Sequence, residues 1–138
     1  MPQLVLEENK VFQAIDKVVE RTFNMDFSWD WPGGVAFYGI AQAYEATGEE
    51  QYLQGIKKWV DSELEDGLPK LTVNASSIGH VLLTLYKATN DEKYLETATK
   101  MADYLLHDAE RFADGVLQHT VNGTKYHFPE QAWADTMF

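Results

Sequence analysis

The chain repeats itself at a spacing of 42 residues: YEATGEEQYL (44–53) lies over YKATNDEKYL (86–95). The register extends outward, with Lys58 over Lys100, Asp61 over Asp103, and Ile40 and Ala43 over Leu82 and Leu85. Gly48 and Asn90 fall together, and these residue types best tolerate the left-handed conformation that follows a helix end. Each copy therefore reads as a helix, a tight turn and a second helix. Each helix carries an apolar stripe too broad to leave in water, and stacking the copies buries those stripes. The repeat thus points to an all-α array of helical hairpins.

The remaining segments fit that array. Val11, Ile15, Val18, Val19 and Phe23 recur at helical spacing and predict a first helix over 5–22. NMDFSWDWPGG (24–34) interrupts the pattern, and Asp30 can cap the next helix with Pro32 in its first turn. That helix is expected to reach Thr47 and the one after it Leu64. Two long links, 65–77 and 111–130, separate the repeats. Long links in a compact helical array usually form a binding face. Gly115 and Gly123 mark turns in the second link, and a small hairpin is compatible with them. A last helix is expected to begin near Glu130, with Trp133 and Met137 on one side of it and Phe138 inside it. A stop within a helix leaves backbone carbonyls and an apolar stripe unpaired, so the sequence reads as a truncated chain.

Composition narrows the function. At 138 residues the chain is about one domain. A net charge of -11 repels nucleic acid and anionic membranes, and neither is expected as a partner. The absence of cysteine rules out disulfides and thiolate sites. The start lacks a basic region followed by an apolar one, and no apolar run reaches the roughly 18 residues of a membrane span. A cytoplasmic location is the default. Four histidines at no ligand spacing give no metal site, and no cofactor motif is present. Gly33 and Gly34 do not follow a strand and so do not form a phosphate loop.

Three segments carry a resemblance. WDWPGGVAFYGIAQAYEATGEEQYL and LTVNASSIGHVLLTLYKATNDEKYL resemble the first two inner helices of the unsaturated glucuronyl and rhamnogalacturonyl hydrolases, and DGVLQHTVNGTKYHFPEQAWADTMF resembles the stretch that carries their WxD motif. These are glycoside hydrolases built as (α/α)6 barrels. The resemblance implies that residues 1–138 form the first half of such a barrel. A complete barrel of twelve helices would need on the order of 350 residues.

By that resemblance Asp135 is the general acid and base. The implied substrate is a short oligosaccharide ending in a 4,5-unsaturated uronic acid, hydrated across its vinyl ether. One carboxyl group suffices, because it protonates C4 and then activates water for C5, whereas ordinary glycosidases need two. Its pKa must rise toward the working pH, and burial beside Trp31 and Trp133 would raise it.

Both indoles read equally well as core residues or as sugar platforms, and Trp29 is a weaker platform. Asn74 stands where many members of the family carry Asp; it can bind a sugar hydroxyl but cannot raise a neighbouring carboxyl by repulsion. His119 reads as a site-wall donor or as a loop hydrogen bond. Gln131 either orients Asp135 from one turn away or faces solvent. Trp59 reads as packing.

Half a barrel is expected to be weakly active or inactive alone, and its exposed apolar surface can support a homodimer. Two rival readings remain at this point. One is a helical-repeat module that binds a protein, with Trp31, Trp133 and Asp135 scattered. The other is a different α/α-barrel sugar enzyme such as an epimerase.

Overall fold

The computed structural model describes residues 2–119 and 130–132, with side chains from residue 10 onward. Five α-helices run through the described residues: α1 Pro2–Phe23, α2 Trp31–Thr47, α3 Glu50–Glu63, α4 Gly79–Thr89 and α5 Glu92–Asp103. A 3-10 turn, Ala75–Ile78, leads into α4, and a π turn, Tyr104–Asp108, follows α5. The fold is all-α, apart from a two-stranded antiparallel hairpin of β1 (Arg111–Phe112) and β2 (Val116–Leu117).

The repeat is reproduced atom by atom at the two tight turns. Gly48 (φ 72°) and Asn90 (φ 54°) both take the left-handed conformation, and their N–H groups donate back to Tyr44 and Tyr86. Thr47 Oγ1 donates to the Ala43 carbonyl and accepts from Glu49 N, while Thr89 Oγ1 donates to Leu85 and accepts from Asp91 N. One threonine thereby links a carbonyl in the last turns of one helix to the amide of the residue that caps the next. Asp30 caps α2 as expected, accepting from Trp31 N at 2.8 Å with Pro32 in the first turn.

The two hairpins begin differently. α2 starts directly at its cap, whereas α4 is reached through the 3-10 turn, which packs against the start of α2. Contact is closest at Gly34, where an added Cβ would lie 2.0 Å from Ser77 Oγ. This close approach is the role of Gly34 in the WPGG stretch.

The core lies between the inner helices α2 and α4 and the outer helices α3 and α5. Phe37, Ile40, Ile56, Val60, Ile78, Leu82, Leu85, Tyr94 and Met101 are buried there. Trp59 stacks on Phe37 (centroids 4.0 Å apart) and on Trp29 (5.8 Å), and its indole N–H reaches the Phe27 carbonyl. Trp59 is packing, as its outer-helix position implied.

Glu130 adopts φ 57° in a turn and Gln131 and Ala132 are not helical, while the rest of the helix expected near Glu130 lies outside the described residues. One expectation needs correction. The α1 stripe is only partly covered: Val19 is buried, but Val11 and Val18 are exposed. The second link does form a small hairpin, turned through Ala113 and Gly115 at positive φ. The expected turn at Gly123 and the segment from Trp133 to Phe138 lie outside the described residues.

Candidate functional site

The interface of α2 with the 3-10 turn sets the first part of the site. Trp31 opens α2 and is 46% exposed, in contrast to Trp29 two residues earlier, which is buried. Trp29 is therefore held in the aromatic stack and is withdrawn as a sugar platform. Its backbone N–H donates to the Glu63 carboxylate, tying the link before α2 to the end of α3. Burial pushes the Glu63 carboxyl up against the opposing pull of that N–H.

Asn74 immediately precedes the 3-10 turn. Gly34 touches Ser77, so the turns carrying Trp31 and Asn74 are neighbours. The Asn74 side chain is wholly buried, and neither its Oδ1 nor its Nδ2 has a hydrogen-bond partner among the described residues. The Trp29 indole N–H is buried and likewise without a partner among the described residues. An unmet buried amide costs about 1–3 kcal/mol, so hydrogen-bonding capacity is left unspent at this end of the array.

The second part of the site is a clamp that the sequence did not reveal. Gln118 is buried; its backbone N–H donates to the Glu110 carbonyl at 2.9 Å, and its side-chain Oε1 accepts from Glu130 N at 2.8 Å. His119, also buried, donates its N–H to the Gln131 carbonyl at 2.7 Å. Glu130 sits in the left-handed region, which is uncommon for a residue other than glycine and persists only where its surroundings enforce it. The Gln118 side chain and the His119 backbone thus hold the two residues that lead into AWADTMF. A single glutamine bonding to backbone twelve residues away leaves no periodic trace, and only its place beside His119 could have hinted at it.

Of the expected site residues, the described contacts bring together His119 and Gln131, and separately place Trp31 beside the Asn74 turn. The Gln131 side chain is exposed and Gln131 is not helical, and Asp135, which it was expected to orient, lies outside the described residues. Trp133 and Asp135 lie outside them. No described helix is long and apolar enough to cross a membrane.

Residues 5–138 match the family described as Glycosyl Hydrolase Family 88. The unsaturated rhamnogalacturonyl hydrolase YesR of Bacillus subtilis (strain 168) is 63% identical over 137 residues, which is 99% of this chain and 40% of that relative. The chain thus spans about 40% of the length of the relative it matches.

Proposed function

Because the chain belongs to glycosyl hydrolase family 88, we propose that it is part of an (α/α)6-barrel enzyme that hydrates the 4,5 double bond of an unsaturated uronic acid ending a rhamnogalacturonan-derived oligosaccharide. The observation that carries this reading is the 63% identity, across almost all of the chain, to a hydrolase named for that chemistry.

Asp135 donates its proton to C4 of the vinyl ether, and positive charge develops at C5 and the ring oxygen. The resulting carboxylate takes a proton from water as the water oxygen bonds to C5. The hemiketal so formed opens to a ketone at C5 and a hemiacetal at C1, and the hemiacetal collapses to an aldehyde, releasing the next sugar as an alcohol. The carboxyl ends the cycle protonated, ready for another turn. Trp31 is half-exposed at the first turn of α2, as a platform for a sugar face requires, and Trp133 is assigned the matching role beside Asp135.

Asn74 and His119 are the proposed polar contacts to the substrate, with Gln131 at the rim. The unspent amide of Asn74 supports its role, and because the side chain is buried, its contact must come from the floor of the site. The Gln118 clamp supports a fixed approach into the AWADTMF segment.

The test is hydrolysis of two disaccharides by the whole enzyme, differing only in whether the uronate carries the 4,5 double bond. Loss of the conjugated absorbance with release of the second sugar from the unsaturated substrate alone is expected. Equal cleavage of both would mean ordinary glycoside hydrolysis and would end this reading.

A further inference from the structure

A tyrosine–aspartate clasp ties successive outer helices together, and it occurs twice. Tyr52, near the start of α3, donates its hydroxyl to Asp16 of α1, and the preceding Gln51 reaches the same carboxylate oxygen at 3.5 Å. Tyr94, near the start of α5, donates to Asp61 of α3 at 2.8 Å, and the preceding Lys93 reaches the same oxygen at 2.9 Å. α3 and α5 thus each open on a donor followed by tyrosine, and both residues close on a carboxylate of an earlier helix, α1 or α3.

Asp103 stands at the third place in this series. It stands 42 residues after Asp61, ends α5, is exposed, and has no partner among the described residues. Its surroundings agree. Leu53, Lys57, Val60, Asp61 and Leu64 of the α3 segment correspond to Leu95, Thr99, Ala102, Asp103 and Leu106 of the α5 segment. At every pair the second member is the more exposed: Val60 is fully buried while Ala102 is exposed, and Leu64 is half-buried while Leu106 is 66% exposed. A groove of about 340 Å³ lined by Glu92, Leu95, Glu96, Thr99 and Lys100 runs along the same side of α5.

We infer that this side of α5 seats a further outer helix of the same design, opening on a donor–tyrosine pair that closes on Asp103. The occupant follows from continuity with two existing interfaces of one chemistry. A second copy of the described array fits less well, because Tyr52 and Tyr94 are already engaged and α1 contains no tyrosine. More than half of the matched relative's length lies outside the region shared with this chain, which leaves room for such a helix in the same polypeptide.

The test places photoreactive p-benzoylphenylalanine at Lys100, an exposed rim position, in the intact protein. Irradiation should cross-link it to one helix whose first turn carries a donor followed by tyrosine. Asp103→Ala should lower the yield several-fold while leaving the helical circular dichroism unchanged, and Asp103→Asn should lower it less. A cross-link to another copy of residues 1–138, no cross-link, or a yield indifferent to Asp103 would each overturn the inference.

Discussion

The two hairpins α2–α3 and α4–α5 share a turn, a register and a clasp, yet they are buried differently. In the first, α3 is held on both flanks, through Tyr52 to α1 and through Asp61 to α5. In the second, α5 is held on one flank only among the described residues. Local chemistry is the same in both: Gly48 and Asn90 turn alike, and Thr47 and Thr89 make the same two bonds. Burial at matched positions is not the same, as Leu64 and Leu106 show. In a stacked array, sequence sets the form of each unit and neighbours set how much of it is covered.

The sharpest break in the comparison lies where each hairpin begins. Gly34 corresponds in register to Ser76, and only Gly34 must let another backbone approach. Gly34→Val should cost about 3 kcal/mol or more, because the obstruction includes Ser77 backbone and Cβ as well as its hydroxyl. Thermal unfolding should shift down by on the order of 10 °C. Ser76→Val should cost only about 1 kcal/mol, from the lost hydroxyl bond to the Thr72 carbonyl. Equal losses would mean that the two hairpin starts are packed alike.

A smaller effect tests the clasp as a repeated unit. Tyr52→Phe and Tyr94→Phe should each cost about 1 kcal/mol in denaturant unfolding. The hydrogen bond to Asp16, reinforced by burial, pushes the Tyr52 hydroxyl up to about 12, so its clasp stays protonated through neutral pH. At Asp61, burial pushes the carboxyl up, but bonds from Lys57, Lys93 and Tyr94 outweigh it and hold it below its ordinary value. Its lysine partners are about a third to a half exposed and add little stability, so the tyrosine bond remains the common element. A neutral result at one tyrosine beside a clear loss at the other would show that the clasp is not one device used twice.

Much of this architecture was legible in the residues. Spacing of 42 disclosed the hairpins, and Gly48, Asn90, Asp30 and Pro32 marked helix ends by their backbone preferences. Long-range pairing was not legible. Nothing local to Tyr52 or Tyr94 says that a carboxylate 36 or 33 residues earlier will meet its hydroxyl. The candidate site divides in the same way. Trp31 could be named from its place at a loop-to-helix boundary, and Trp29 misled because its neighbours resemble those of Trp31. Gln118 was missed because its side chain serves a distant backbone amide. The turn at Glu130 was not legible either, because a left-handed residue held by Gln118 overrides local helical propensity there.

The central claim is that one carboxyl group performs both proton transfers. It is tested most directly by Asp135→Asn in the whole enzyme, followed through the absorbance of the unsaturated uronate. Turnover should fall by about 10²–10⁴-fold with helicity and substrate binding retained. Turnover equal to that of the unaltered enzyme would contradict the account.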